Sequence, residues 1–149
     1  MRTYQYERRL HWSECDPAGI IFFPNYTRWM TDGLSEFLLS LGIDPNAPRD
    51  DGARGGLPIV QLSMQFFEAP PLHVMVRHEI RVEKVGKKSL TLAHRFWQDQ
   101  SLLAEANETR VWAAHSVGRE SSIQARPIPD SVRTLLTEDT PQAPTETLK

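Results

Sequence analysis

The stretch Cys15–Thr27, CDPAGIIFFPNYT, joins a turn to the start of a strongly amphipathic helix. Its Asp-Pro-Ala-Gly run is typical of a turn, because these residues favour tight bends or end regular structure. From Tyr26 to Leu41, apolar residues recur at i, i+3 and i+4, which predicts one long helix. Pro24 suits the first turn of this helix, and Gly42 suits its C-terminal end.

The residues on either side of this join are typical of β-structure. Alternating residues predict a first strand over residues 4–12, and a loop rich in glycine and proline follows the helix over residues 42–58. Four further strands joined by short turns predict an antiparallel meander, over residues 59–67, 74–84, 90–97 and 102–118. Asp130 begins a short helix that ends at Leu136. We therefore expect an α+β domain in which a curved sheet of about five strands wraps round one helix.

Composition indicates an ordinary globular chain. Of its 149 residues, 40% are apolar and 24% charged, which is enough for one domain, expected over residues 1–136. Residues 137–149 contain two prolines and no aromatic residue, so we expect a disordered tail. The net charge of −2 gives no electrostatic reason to expect nucleic acid or an anionic membrane as a partner. The single cysteine excludes an internal disulfide, and cytoplasm is the expected location.

The chemistry of the join rests on one carboxylate and one helix start. Asp16 lies just upstream of the helix, whose first backbone N–H groups lack intrahelical partners and carry a partial positive charge. A carboxylate can act as base or nucleophile, and such N–H groups can hold an oxyanion, which together are the minimum for acyl-group hydrolysis. The alternative is that Asp16 only forms the turn.

The segment Asp16–Tyr26, followed by Arg28-Trp29-Met30, resembles the 4-hydroxybenzoyl-CoA thioesterase family of the hotdog fold. Weaker similarities extend the resemblance over most of the chain, at Gly56–Ile59, Lys87–Ser89 and Arg126–Pro129. The resemblance implies an enzyme that hydrolyses an acyl-CoA thioester to the free acid and coenzyme A. It also implies that no metal or redox cofactor takes part, since coenzyme A belongs to the substrate.

The resemblance also implies roles for individual residues. Asp16 would be the nucleophile or general base, and the backbone N–H of Phe23 would polarise the thioester carbonyl. Lys87 and Lys88 would meet the phosphates of coenzyme A. The residues implied around the substrate are Phe22, Tyr26, Trp29, Gly56 and Leu57. The family forms edge-to-edge dimers, usually paired into tetramers, with active sites at the subunit interface, so we expect a homo-oligomer.

Two positions depart from the family pattern. Thr31 stands where an acid is expected, and Leu57 replaces a residue that can be polar in relatives. An unsubstituted aromatic or a medium-chain acyl group therefore fits as well as a hydroxybenzoyl group. The open alternatives are a thioesterase for acyl carrier protein or aliphatic acyl-CoA, and a module that binds acyl thioesters without cleaving them. A hydratase is disfavoured, because residues 24–41 contain no histidine to pair with an acid.

The other reactive side chains are expected to have structural roles. Glu14 is expected to be structural. Cys15 is expected to be structural as well, because free cysteines are usually small buried hydrophobes. The five histidines show no metal-ligand spacing. His78 and His94 lie on predicted apolar strand faces, which favours hydrogen-bonded core or interface histidines. Gly55-Gly56 lacks the Lys-Ser/Thr of a phosphate-binding loop.

Overall fold

The computed structural model describes residues 1–116, 122–139 and 146–147. Its helices are α1 (Pro24–Ser40) and α2 (Asp130–Thr137), with a single 3₁₀ turn at Trp12–Glu14. Its strands are β1 (Thr3–Arg9), β2 (Arg54–Gly56), β3 (Ile59–Phe66), β4 (Met75–Val85), β5 (Ser89–Gln98), β6 (Ser101–Val111), β7 (Ala113–Ser116), β8 (Ser122–Ala125) and β9 (Glu146–Thr147).

The main sheet has the strand order β3-β6-β5-β4-β1-β9. Strands β4, β5 and β6 form the predicted meander, but β3 pairs with β6 and not with β4, so the prediction of four consecutive paired strands is wrong. The physical reason is the connection over residues 67–74, which contains Pro70-Pro71 and is longer than a hairpin turn. The connection lets β3 reach the far edge of the sheet, beside β6.

The predicted long strand over residues 102–118 is also corrected. It breaks at Trp112, whose N–H donates to the Lys88 carbonyl at 2.8 Å and whose ring lies under the Arg49 guanidinium. Strand β7 then joins a second, three-stranded sheet in the order β2-β7-β8. The predicted loop over residues 42–58 contributes β2 to this sheet. Residues 117 and 118 lie outside the described residues.

Helix α1 begins and ends as its periodicity predicts, and it packs its apolar stripe on the sheet. Its N-terminal half joins a core cluster with Leu10, Val76 and Phe96, and its C-terminal half joins a second cluster with Ile80 and Leu92. We call these the N-terminal and C-terminal core clusters. The two clusters therefore pack against opposite halves of α1.

The C-terminal segment is described in part. Helix α2 buries Leu136 against the C-terminal core cluster. Strand β9, two residues long, pairs parallel with β1. Residues 140–145 and 148–149 of the predicted disordered tail lie outside the described residues, so that expectation stays a prediction.

Candidate active site

The loop that carries Asp16 is fixed by its own backbone. The Asp16 N–H donates to the Ile20 carbonyl, and the Gly19 N–H donates back to the Asp16 carbonyl, both at 2.9 Å. The Ala18 N–H donates to Asp16 Oδ1 at 2.9 Å, which closes an Asx turn. Gly19 has φ +78°, a conformation that favours glycine. Within the described residues nothing donates to Asp16 Oδ2, so one carboxylate oxygen is free to act on a ligand.

Glu14 attaches this loop to the core and is structural, as predicted. Its Oε2 accepts hydrogen bonds from Arg8 Nη2 at 2.8 Å and from Trp29 Nε1 at 2.6 Å. Its backbone carbonyl accepts from the Phe22 N–H and from Asn25 Nδ2. These bonds hold the turn against the first turns of α1.

Phe23 caps α1 with its backbone. The Tyr26 N–H donates to the Phe23 carbonyl, and Pro24 has no N–H to offer. In the part of the chain that the structure describes, the Phe23 N–H itself has no acceptor. The neighbouring rings of Phe22 and Phe23 are 50% and 62% exposed. An unpaired donor thus lies at the positive end of a helix, flanked by aromatic surface.

Two of the predicted substrate residues lie in the core. Tyr26 and Trp29 are buried in the N-terminal core cluster, and burial raises the pKa of Tyr26 to about 12. They support the site from beneath, and direct substrate contact by them stays a prediction. Burial, then the nearby Asp16 and Glu14 carboxylates, raises the pKa of the Cys15 thiol. A thiol with a raised pKa is a poor nucleophile.

The predicted residues Gly56 and Leu57 lie where the second sheet meets β3. The carbonyls of both accept hydrogen bonds from arginines, Gly56 from Arg49 and Leu57 from Arg110. A Cβ on Gly55 would meet the Arg49 guanidinium at 2.4 Å, so the glycine lets the loop close on this side chain. Arg49 therefore holds the loop in place.

A cavity of about 520 Å³ runs along the exposed side of α1. Its lining includes Thr27, Arg28, Thr31, Leu62, Glu108 and Arg110. Thr27 follows Phe23 by one helical turn, about 6 Å along the axis. The cavity, which we call the α1 cavity, therefore begins one turn from the unpaired Phe23 N–H.

A chain of polar side chains crosses the core and ends in the α1 cavity. Tyr6 Oη lies 2.6 Å from His78 Nδ1, and His78 Nε2 lies 2.9 Å from His94 Nδ1. His94 Nε2 lies 2.9 Å from Glu108 Oε1, and Arg110 Nε donates to Glu108 Oε2 at 2.9 Å. The prediction of hydrogen-bonded histidines at 78 and 94 is confirmed. We call these five residues the buried polar chain.

The environment sets the charges in the buried polar chain. Burial, then the neighbouring His94 and Arg8, lowers the pKa of His78 well below its usual value. Burial acts to raise the pKa of Glu108, but the bond from His94 and the charge of Arg110 outweigh it, and the pKa is lowered. His78 is therefore neutral and Glu108 ionised at neutral pH.

Sequence reasoning missed Glu108 and Arg110. The available signal was strand register, since Ala104, Ala106 and Glu108 share the buried face of β6. A charged residue in an apolar register needs a buried partner.

Lys87 and Lys88 lie exposed on the turn between β4 and β5. Their carbonyls accept 2.8 Å hydrogen bonds from the N–H groups of Ile128 and Trp112, two residues of the C-terminal core cluster. Asp16 follows Cys15, which packs on the N-terminal cluster. One chain therefore does not bring the lysines and Asp16 together. A second cavity, of about 550 Å³, is lined by Trp112 and Ile128 beside the lysine turn.

The described residues show neither a metal centre nor a membrane-spanning helix. Among residues 1–116, 122–139 and 146–147, no three His, Cys, Asp or Glu side chains converge as metal ligands do. None of the helices described there is long and apolar enough to cross a membrane.

Comparison with known proteins identifies the family. The profile of the thioesterase-like superfamily matches residues 10–136. The 4-hydroxybenzoyl-CoA thioesterase of Pseudomonas sp. strain CBS-3 is 28% identical over 130 residues, which cover 83% of this chain and 92% of that protein. A putative esterase of Aquifex aeolicus is 27% identical over 104 residues, which cover 68% of this chain and 78% of that protein.

Solved structures agree with the profile. The structure of the Pseudomonas 4-hydroxybenzoyl-CoA thioesterase matches with a TM-score of 0.79 and 25% identity, covering 91% of this chain and 99% of that one. A gentisyl-coenzyme A thioesterase matches with a TM-score of 0.74 and 31% identity, covering 89% and 99%. The predicted α+β hotdog fold is confirmed.

Proposed function

This chain belongs to the thioesterase-like superfamily, and we propose that it hydrolyses an aromatic acyl-CoA to the free acid and coenzyme A. The observation that carries the proposal is that one loop–helix join holds both an Asp16 carboxylate oxygen and a Phe23 N–H that have no hydrogen-bond partner among the described residues. Aromatic substrates are supported by the 4-hydroxybenzoyl and gentisyl relatives and by the aromatic surface round Phe23.

The proposed reaction uses these two groups in turn. The thioester carbonyl oxygen accepts from the Phe23 N–H, which stabilises the negative charge that develops there. Asp16 either takes a proton from the attacking water or attacks the carbonyl itself to give an anhydride that water then cleaves. In both routes the C–S bond breaks, the acyl carbon gains oxygen from water, and the coenzyme A thiolate takes up a proton.

The reaction so written uses protein groups alone, and we propose that no metal or redox cofactor takes part. Activity that survives dialysis against a chelator is the expected result.

A neighbouring subunit is part of the proposal. Strand β3 lies at an edge of the main sheet and exposes the apolar side chains Ile59, Val60, Leu62 and Phe66, and Phe67 is exposed just beyond its end. Such an edge favours pairing with a second copy. A site shared between copies would also let Lys87 and Lys88 of one chain meet the coenzyme A bound at Asp16 of another. Sedimentation analysis tests this, with a dimer or tetramer expected and a monomer contradicting it.

A panel of acyl-CoAs tests the function. Thiol release is measured with benzoyl, hydroxybenzoyl, phenylacetyl and medium-chain acyl-CoAs, for the wild type and Asp16→Asn. We expect the aromatic thioesters to be preferred and Asp16→Asn to lose at least about a hundredfold in kcat/KM. Asp44→Asn is the matched control, because Asp44 also accepts an i+2 backbone N–H. Turnover of aliphatic thioesters alone would refute the aromatic specificity, and activity that survives in Asp16→Asn would refute the role of Asp16.

A further inference from the structure

We propose that Arg110 determines substrate specificity by donating hydrogen bonds to a hydroxyl oxygen on the aromatic ring of the acyl group. This inference rests on the proposed function, since it places the acyl group in the α1 cavity. It adds to that function a recognition residue and a reason for the buried polar chain behind it.

The Arg110 guanidinium has N–H donors available to a ligand in the cavity. A guanidinium carries five N–H groups. Three of them have protein acceptors: Nε donates to Glu108, Nη1 to the Leu57 carbonyl at 3.0 Å, and Nη2 to Thr31 Oγ1 at 3.3 Å. For the remaining two N–H groups, the described residues offer no acceptor. The side chain is 12% exposed, and the cavity is its opening to solvent.

The guanidinium is also fixed in direction. Glu108, whose side chain is fully buried, binds its Nε end, and the Leu57 and Thr31 oxygens bind its two terminal nitrogens. A donor held in this way loses little conformational freedom when a ligand binds. Glu108 acts as a positioning residue, because it reaches the cavity through Arg110.

The rest of the buried polar chain holds Glu108. An ionised carboxylate only accepts hydrogen bonds, so His94 Nε2 carries the proton it shares with Glu108 Oε1. His94 Nδ1 shares a proton with His78 Nε2, His78 Nδ1 lies within hydrogen-bond distance of Tyr6 Oη, and the Tyr6 hydroxyl also donates to the Trp29 carbonyl at 3.3 Å. Burying this many polar groups costs free energy. The buried polar chain ends at the Arg110 guanidinium, which lines the α1 cavity.

The charges round the cavity favour a neutral oxygen over an anion. Arg28 and Arg110 supply two positive charges, and Asp32 and Glu108 supply two negative ones. A ring carboxylate would face both acids as well as the arginines. A hydroxyl oxygen can accept from the guanidinium without that repulsion. Thr31 already accepts from Arg110, so the arginine is the available donor for a ring oxygen.

Paired substrates test the proposal. The measured quantity is the ratio of kcat/KM for 2-, 3- or 4-hydroxybenzoyl-CoA to kcat/KM for benzoyl-CoA. Because both substrates meet the same preparation, partial misfolding of a variant cancels from the ratio. We expect the wild type to prefer at least one hydroxylated ring by about tenfold or more, as a hydrogen bond to a charged donor allows. A wild type without such a preference, or one that prefers a carboxybenzoyl-CoA, would overturn the proposal.

Variants test whether Arg110 causes the preference for a hydroxylated ring. Arg110→Met should abolish it, and Arg110→Lys, which keeps the charge but loses the forked donors, should reduce it. Glu108→Gln should also reduce it by releasing the arginine; an unchanged ratio in this variant would refute the positioning role. Arg95→Met is the matched control, since Arg95 pairs with Glu105 on the exposed face of the sheet, and its ratio should equal that of the wild type.

The outcomes separate the two proposals. Hydrolysis of benzoyl-CoA with a ratio that Arg110→Met and Arg110→Lys leave unchanged would refute the role of Arg110 and leave the thioesterase in place. Absence of turnover for every aromatic acyl-CoA would refute the proposed function and this inference with it.

Discussion

His94 Nε2 lies 2.9 Å from Glu108 Oε1, and neither side chain is exposed to solvent. The pair links the core, through His78 and Tyr6, to a cation at the surface of a cavity. Burial of a pair that contains an ionised carboxylate is seldom the most stable choice for a core, because apolar residues of similar size do as well. Removing one member of such a pair, in contrast, leaves an uncompensated buried group.

The buried histidine makes stability depend on pH. The pKa of His78 is held well below its usual value in the folded chain. Below about pH 6.5 the unfolded state therefore binds a proton at this histidine, and the folded state does not. The free energy of unfolding should therefore fall as the pH drops from 7 to 5, by up to about 1.4 kcal/mol per pH unit. Glu108, whose folded pKa is lowered, adds a loss only below about pH 4.5.

Urea unfolding at pH 7, 6 and 5 measures this dependence. His78→Gln should weaken it, although the variant is less stable at every pH. The control is His73→Asn, which removes an exposed histidine at φ +69° and replaces it with a residue that tolerates this conformation. If His73→Asn abolished the dependence and His78→Gln did not, the assignment to His78 would be wrong.

The glycine in the middle of α1 is required by close packing. A Cβ on Gly33 would lie 2.6 Å from Tyr6 Oη and 2.8 Å from His78 Cε1. Alanine is the better helix former by about 1 kcal/mol, but overpacking costs about 1–3 kcal/mol, so Gly33→Ala should lower the free energy of unfolding. Thermal and urea unfolding measure the change. Ser35→Ala, on the exposed side of the same helix, should leave stability equal or slightly higher, and a Gly33→Ala protein as stable as this control would contradict the packing argument.

Two substitutions of Asp16 separate its role in forming the turn from its role in catalysis. Asparagine keeps an oxygen that can accept from the Ala18 N–H, and alanine does not. Both variants should lose at least about a hundredfold in kcat/KM, as expected for a lost catalytic carboxylate. Asp16→Ala alone should also lose about 1 kcal/mol of unfolding free energy. Steady-state kinetics and urea unfolding test the two effects. Full activity in Asp16→Asn would show that Asp16 forms the turn and takes no part in catalysis.

The lysine turn is expected to act on binding and not on the chemical step. Replacing Lys87 and Lys88 with alanine should raise KM for the acyl-CoA and leave kcat near the wild-type value, because uniform binding of the coenzyme A phosphates is lost. The fold should survive, since the backbone carbonyls and not the side chains bind Trp112 and Ile128. Lys84→Ala, an exposed lysine on β4, is the control. Equal KM values in the double variant and this control would exclude the lysine turn from coenzyme A binding.

The sequence alone determined the elements whose signals are local. The apolar period over Tyr26–Leu41 predicted α1 because a helix repeats every 3.6 residues whatever packs against it. The Asp-Pro-Ala-Gly turn and the helix start are adjacent in the chain, so the join of Asp16 to Phe23 could be predicted from the residues between them. Alternation likewise predicted β4 and β5, which a short turn connects.

Tertiary structure decided the features that depend on distant residues. Strand β3 pairs with β6, and Trp112 ends β6, because of contacts made across the fold that no local period encodes. The buried polar chain draws Tyr6, His78, His94, Glu108 and Arg110 from four strands, and no single segment shows which of these residues bond to one another. Side-chain direction in a strand follows from local alternation, but which strands become neighbours is decided only when the sheet closes round α1.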